Sequence, residues 1–201
     1  MEEQTRWKKE KKARMQLDPF AGEAEYSINT LNIKLPYLFV FEAVDVNWHD
    51  LFIAIENGYL SHQSAVDFAR LNLSDDGEFD ENALEIATLT PEKSLFSHSI
   101  HPYIEELAEK VTEENKQRTK QKLMYLVLKW VLENKTQFED PLEVVETIYA
   151  DFGYPAEIAH FVRYMPMTEP VLESLELNIA RIYDKWSKFV KKQEILFAPR
   201  I

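Results

Sequence analysis

The sequence predicts an all-α fold, built as a single-domain multi-helix bundle or a short helical stack with little or no β structure. Four glycines in 201 residues lie well below the usual frequency of about 7%, and three of the four follow predicted helices. Helix-start signals, in which a polar cap precedes a proline or an acid, recur along the chain. Near the end of the chain, apolar residues recur at alternating steps of three and four, which is the spacing of an amphipathic helix.

A single domain is expected at this length. We expect an N-terminal arm and irregular lead-in at 1–34, a helical domain at 35–193 and a tail at 194–201. The helical domain divides into an acidic N-terminal half, 35–100, and a C-terminal helical half, 101–193. The start of the chain lacks the apolar run of a signal peptide, and no segment has the apolar length of a membrane span. We therefore expect a cytoplasmic protein without membrane contact.

The first predicted helix begins at Pro36, which suits a first helical position. Residues 39–41 equally favour a strand, so the two alternatives stay open for this run. Asn47 is predicted to cap the next helix, with Asp50 as the acid of its first turn and Gly58 just beyond its end.

Three more helix starts are predicted in the acidic half. Ser61 caps a helix whose inner face consists of Ala65, Val66, Phe68 and Ala69. A turn at 76–77 precedes a short helix capped by Asp80, and the run 90–92 opens another helix.

The C-terminal half is predicted to begin with a helix at Pro102, with an inner face of Ile104, Leu107, Ala108 and Val111. Residues 112–122 contain no hydrophobe, so they form either an exposed helical connection or a loop. Their basic residues are interpreted as a solvated hinge and not as a nucleic-acid site: Lys116, Arg118, Lys120 and Lys122. A strongly amphipathic helix follows at 123–131.

Asp140 and Pro141 signal the start of a helix that Gly153 ends. Pro155 then opens a shorter helix that Pro166 closes. The last helix carries an apolar stripe at Leu172, Leu175, Ile179, Ile182, Trp186 and Phe189. Because three heptads are short for an independent coiled coil, we expect this stripe to pack within the chain, with a homodimer as the alternative.

Acidic charge is concentrated in one segment. The net charge is −12, and residues 42–92 contain twelve acidic residues and one basic residue. Such a surface repels nucleic acids and attracts basic partners, although a solvated face that keeps the protein soluble has the same composition. The candidate contact residues for a basic partner are Asp45, Asp50, Glu56, Asp67, Asp75, Asp76, Glu78 and Asp80.

Composition excludes several kinds of site. Phosphate-binding loops need clustered glycines, and here no two glycines are close together. The absence of cysteine excludes thiol nucleophiles, iron–sulfur clusters, thiolate zinc sites and disulfides.

His98, His101 and Glu105 have the spacing of metal ligands on one helix face. Pro102 disfavours a helical conformation at the residue before it, so we expect these groups not to share a face. We therefore predict no metal site and no cofactor.

His160 lies near Asp151 and Arg163 in sequence, and a histidine–aspartate pair can act as a general base. Helix-end roles explain the same residues better, so we do not expect an enzyme. A small metal-binding or hydrolytic enzyme that uses His98, His101 and His160 is the alternative.

Three stretches carry a family resemblance: DPLEVVETIYADFGYPAEIAHFVRYMPM at 140–167, LMYLVLKWVLENKTQFED at 123–140, and residues 35–69. Over residues 35–190 the chain resembles a bacterial family of uncharacterised, small, acidic helical proteins. Some members are found near polymorphic toxin loci. The resemblance implies an immunity protein that binds a cognate toxin domain and occludes it. The acidic segment favours a basic toxin domain, and we expect a monomer or a homodimer. A helical regulatory protein is a further alternative.

Overall fold

The structure is a computed structural model that describes residues 29–72, 80–90, 93, 97–166 and 169–199, with the backbone alone at 97–99. This part of the chain contains helices and no strand, which confirms the predicted all-α class. Its α-helices are α1 Tyr37–Ala43, α2 Trp48–Glu56, α3 His62–Asn72, α4 Glu81–Thr88, α5 Ser97–Glu109, α6 Glu113–Glu133, α7 Pro141–Asp151 and α8 Leu175–Phe197. Short 3₁₀ turns lie at Lys135–Gln137 and Ala159–Phe161.

Helix α6 connects the two halves of the fold. In the N-terminal half, α5 packs against α2, α3 and α4, while α6 packs against α2 on one side and against α7 and α8 on the other. Residues 122–128 of α6 are all buried, as expected of a helix segment that is surrounded by other elements. One hydrophobic core therefore extends through both halves.

Local signals place several helix ends as predicted. Asn47 and Asp50 form a reciprocal capping box, in which the Asn47 side chain accepts a hydrogen bond from the Asp50 amide at 3.0 Å and the Asp50 side chain accepts one from the Asn47 amide at 3.1 Å. Asp80 and Asp140 also accept hydrogen bonds from amides in the first turns of α4 and α7. Gly58 follows α2 with φ +74°, a conformation that favours glycine. The run at 39–41 is helical, so the strand alternative is wrong.

The predicted start of a helix at Pro102 is wrong, because α5 begins at Ser97 and contains this proline. A proline inside a helix removes one backbone hydrogen bond and crowds the preceding turn. Ile100, Ile104 and Leu107 are buried along one face of α5. Their burial against α2, α3 and α4 compensates for the lost hydrogen bond. Tertiary packing therefore overrides the low helix propensity of proline at this position.

The short helix predicted between Pro155 and Pro166 is also wrong. This segment forms turns and the 3₁₀ turn Ala159–Phe161. A helix of so few residues does not recover its cost of nucleation. Ile158, Phe161 and Val162 are nevertheless buried, so the apolar pattern identifies core residues without identifying the backbone conformation.

The polar segment 112–122 is part of α6 from residue 113 onward, and not a loop. Thr119 and Lys122 are buried, which corrects the interpretation of the whole segment as a solvated hinge. A helix of this length buries one face against α2 even where its residues are polar.

The apolar stripe of the last helix is only half buried. Helix α8 begins at Leu175 and ends at Phe197, so it includes residues 194–197 of the predicted tail. Trp186 is completely buried, whereas Leu175 is 71% exposed and Leu172 is 39% exposed. The predicted stripe thus packs at its C-terminal end and faces solvent at its N-terminal end.

The turn at 76–77, the predicted helix start at Pro91 and the basic segment 1–14 lie outside the described residues. Within the residues that are described, no helix is both long enough and apolar enough to cross a membrane.

Tyr125 carries a buried hydroxyl for which the described part of the chain offers no hydrogen-bond partner. Burial raises the pKa of this phenol to about 12. An unpartnered buried hydroxyl carries a desolvation cost that a phenyl ring of the same shape avoids. We therefore expect Tyr125→Phe to keep or raise the free energy of unfolding, by about 0–1 kcal/mol.

Urea denaturation of the Tyr125→Phe variant beside the unchanged protein measures this effect, and Tyr125→Ala is the matched control. The control removes the ring and is expected to cost about 3–5 kcal/mol. If Tyr125→Phe lost more than about 1 kcal/mol, the hydroxyl would have a partner after all.

Candidate partner-binding surface

The described chain contains five of the eight predicted contact residues: Asp45, Asp50, Glu56, Asp67 and Asp80. The other three, Asp75, Asp76 and Glu78, lie outside the described residues. The five do not converge on one point. Asp50 lies at the start of α2, Glu56 at its end, Asp67 on α3 and Asp80 at the start of α4.

Asp50 lies in a buried polar cluster between α2 and α6. Its Oδ2 accepts a hydrogen bond from Lys122 Nζ at 2.5 Å, and its Oδ1 accepts one from Thr119 Oγ1 at 2.5 Å. The two charged side chains are only 10% and 11% exposed. Lys122 Nζ also donates to the carbonyl oxygen of Asp45 at 2.8 Å. This carboxylate therefore holds two helices together and has little surface for a partner.

His49 completes the cluster, with Nδ1 at 3.0 Å from Thr119 Oγ1. A cavity of about 20 Å³ lies beside Asp50, Thr119 and Lys122, and apolar side chains form the rest of its wall. This volume is that of a single water molecule. The arrangement accordingly supports the α2–α6 contact and provides room for a water, not for a substrate.

Glu56 pairs with His101 across the α2–α5 contact. Its Oε1 lies 3.0 Å from His101 Nε2, while Glu105 Oε2 lies 3.7 Å from Nδ1 of the same ring. His62 is close to this pair, and its pKa is lowered by burial first and then by the charge of His101, against the opposing effect of Glu56. The arrangement connects α2 with α5 through a carboxylate–imidazole pair.

The predicted metal ligands share one helix after all, since α5 includes His98, His101 and Glu105 despite Pro102. The structure does not describe the position of the His98 side chain. Among the described side chains, no three of the His, Asp or Glu type have the geometry to hold a metal ion.

The side chains of Asp67 and Asp80 have bonding partners, whereas the described residues offer none to the side chain of Asp45. Asp67 Oδ1 accepts a hydrogen bond from Gln63 at 3.0 Å. Lys110 lies 2.7 Å from Asp80 Oδ2 and, with the amides of the α4 start, holds the pKa of that carboxyl below its usual value. The Asp45 side chain is exposed, so it is the member of the described five that presents its carboxylate to solvent.

The candidate general-base pair of His160 and Asp151 does not form. Asp151 instead accepts hydrogen bonds from the Thr30 amide and hydroxyl at 2.9–3.0 Å. The His160 ring lies edge-on to Phe161 at 5.0 Å. Burial and then the charge of Lys185 lower the pKa of His160. His160 and Asp151 therefore have separate partners.

Sequence reasoning missed a group of three aromatic rings at the C-terminal end of α7, which we name the tyrosine cluster: Tyr149, Tyr154 and Tyr164. The buried ring of Tyr149 lies 5.2 Å from Tyr154, edge to face, and 6.2 Å from Tyr164. The outer two rings are 62% and 56% exposed.

The backbone holds Tyr154 in an unusual conformation. Gly153 ends α7 with φ +75°, and Tyr154 follows with φ +60°. The Tyr154 amide donates to the Tyr149 carbonyl at 2.8 Å, which closes the helix end. A left-handed conformation costs a residue with a large side chain about 1–2 kcal/mol, so the exposed ring is held in place at some cost.

Arg163 is fixed beside the tyrosine cluster by two carboxylates. Its guanidinium lies 2.6 Å from Asp140 Oδ2 and 3.0 Å from Glu146 Oε1. Residues 139–166 contain six acidic residues and one basic residue. The charge analysis missed this region because the C-terminal half as a whole is nearly neutral. A count of acidic and basic residues within each predicted helix and its flanking turns would have identified this acidic region.

Comparison with known proteins gives one match. The family model for an uncharacterized protein conserved in bacteria (DUF2247) matches residues 37–194. No curated protein matches the chain, and neither does any solved structure. The match covers most of the chain and all eight described α-helices except the last residues of α8. The chain therefore belongs to DUF2247, a family of uncharacterized proteins conserved in bacteria.

Proposed function

We propose that this protein is a non-enzymatic binding module, an immunity protein of the cytoplasm that binds a basic toxin domain and occludes it. The observation that carries the proposal is two pairs of exposed carboxylates, Glu42 and Asp45 at the end of α1 and Glu81 and Glu85 on α4, none of which has a basic partner within the described residues. Surface charge of one sign steers an oppositely charged partner and raises its association rate.

The resemblance to proteins found near polymorphic toxin loci supports the same proposal. Immunity requires only a stable surface that covers the toxin's site, so it asks for no catalytic group on this chain. The polar clusters around Asp50 and His101 are consistent with that role, because each connects two helices and the cavity beside Asp50 has room for a single water molecule.

The test reverses the exposed charges in a variant that carries Glu42→Lys, Asp45→Lys, Glu81→Lys and Glu85→Lys. The binding partner for this test is a toxin domain encoded beside the gene, where the genomic neighbourhood contains one, and calorimetry measures its affinity at several salt concentrations. Because exposed ion pairs contribute about 0.2–1 kcal/mol each, we expect about a tenfold or greater loss of affinity at low salt and a flatter salt dependence.

The matched control reverses four basic positions on α6 and α8, with Lys116→Glu, Lys188→Glu, Lys191→Glu and Lys192→Glu, and is expected to lose no affinity. Unchanged affinity and salt dependence in the α1–α4 variant would reject this contact surface. Stoichiometric zinc or iron in the purified protein would reject the non-enzymatic assignment.

A further inference from the structure

We infer that the tyrosine cluster is a second contact surface, which binds arginine side chains presented by a basic protein partner. The inference rests on the proposed function for the class of partner, and on the geometry of residues 139–166 for the surface itself. Three features of this region support it: the exposed rings of Tyr154 and Tyr164, the backbone conformation of Tyr154, and an excess of carboxylates within residues 139–166.

The exposed aromatic faces come first. Tyr154 and Tyr164 are the most exposed aromatic side chains of the described chain. Tyrosine and arginine are the residues most enriched where protein surfaces bind each other. A guanidinium stacks on an aromatic ring through the negative charge of the ring face. The chain already contains this contact internally, where Arg118 lies 5.4 Å from the centre of the Phe197 ring.

The backbone geometry explains how the rings stay exposed. Tyr154 occupies a left-handed conformation that other residue types adopt more easily, and asparagine is one of them. The buried Tyr149 ring supports both outer rings from below. A freely rotating side chain loses conformational entropy when a partner binds it, whereas a ring that already packs against another ring loses little.

Charge determines which partner fits. Glu139, Glu143 and Glu157 are exposed, and the described residues supply none of them with a basic partner. Arg163 is neutralised by Asp140 and Glu146. The amine of Lys120 approaches Gly153, so one positive charge lies at the edge of the surface. The carboxylates of the region outnumber this ammonium group. A cationic partner that presents planar guanidinium groups therefore complements both the aromatic rings and the negative charge.

The experiment titrates the full-length protein with a short arginine-rich peptide while NMR follows labelled tyrosine rings. Variants identify the resonances of Tyr154 and Tyr164. We expect these resonances to shift, and Tyr154→Asn and Tyr164→Leu each to weaken binding about threefold to tenfold. Tyr164→Phe keeps the ring face and is expected to bind as well as the unchanged protein. A lysine-rich peptide of equal length is expected to bind more weakly.

Folding is controlled by the choice of substitutions. Asparagine tolerates the left-handed backbone at position 154, so Tyr154→Asn is expected to keep the thermal midpoint. Unmoved resonances of both tyrosines, or equal affinity of the Tyr164→Leu variant, would overturn the inference.

The charge-reversed α1–α4 variant separates this inference from the proposed function. It is expected to lower the overall affinity for the arginine-rich peptide while the ring resonances still shift. If the tyrosine variants bind the peptide as well as the unchanged protein, the tyrosine surface is rejected, and the proposed function is unaffected because calorimetry with the toxin domain tests it separately. If only the tyrosine variants lose affinity for the peptide, the tyrosine surface is kept, and the toxin calorimetry still decides the α1–α4 contact.

Discussion

Asp50→Asn is expected to lower the free energy of unfolding by about 3–5 kcal/mol. The substitution keeps the size of the side chain and removes its charge, which leaves Lys122 buried without a counterion. Removing one partner of a buried pair costs more than the pair contributes, because the remaining charge stays desolvated. Asparagine also offers one oxygen in place of two to Lys122, Thr119 and the Asn47 amide.

Urea denaturation measures this change through the midpoint of the transition and its slope. The matched variant is the double substitution Asp50→Asn with Lys122→Met, in which both charges are absent. We expect the double variant to be more stable than Asp50→Asn alone, since apolar replacement of a buried pair is often nearly neutral. A single variant within about 1 kcal/mol of the unchanged protein would show that the pair is solvated and not buried.

Trp186→Ala is expected to cost about 3–5 kcal/mol, because the side chain is completely buried in α8. Its indole Nε1 has no hydrogen-bond partner in the described chain, so the loss comes from apolar contacts and from the cavity. Trp186→Phe retains part of those contacts and is expected to cost less.

Leu175→Ala is the control within the same predicted stripe. Leu175 is 71% exposed, so its truncation is expected to change stability by less than about 0.5 kcal/mol. Thermal or urea denaturation of both variants checks the contrast. Similar losses at the two positions would mean that the N-terminal end of α8 is covered in solution, as a homodimer through the stripe would require.

Short-range signals explain which parts of the fold are predictable. The capping box at Asn47 and Asp50, the cap at Asp140 and the stop at Gly153 involve residues within a few positions of each other. Their physics is contained in the local sequence, so the predicted ends of α2 and α7 agree with the structure. Leu123, Leu126, Val127 and Val131 are buried as their 3.6-residue periodicity predicts. The predicted single apolar face is nevertheless too narrow, because Met124, Tyr125 and Leu128 are buried as well.

Pro102 and Pro155 show where local reasoning fails. Proline is unfavourable inside a helix by about 3 kcal/mol, and this local rule predicts a helix start at each position. The structure places Pro102 within α5 and replaces the helix after Pro155 by turns. In both segments the backbone conformation is the one that buries the neighbouring apolar side chains. That burial depends on helices that are distant in the sequence.

For the candidate contact residues, too, the sequence predicts the local excess of charge but not the tertiary contacts of each carboxylate. The local charge excess at 42–92 is visible in the sequence, and exposed carboxylates such as Asp45 agree with it. Whether a given carboxylate faces a partner or a neighbouring helix is a matter of tertiary contact. Asp50 meets Lys122, which is 72 positions away, and Glu56 meets His101, which is 45 positions away.

The sequence by itself determined the all-α class, the helix starts near Pro36, Asn47, Asp80 and Asp140, and the resemblance to the family, because each depends on local pattern. Tertiary structure alone decided that Asp50 and Lys122 form a buried pair, that half of the α8 stripe faces solvent and that Tyr154 and Tyr164 are exposed on Tyr149. The reason is that desolvation and packing energies belong to pairs of elements brought together by folding. The two elements of such a pair are far apart in the sequence, so no local sequence pattern contains both.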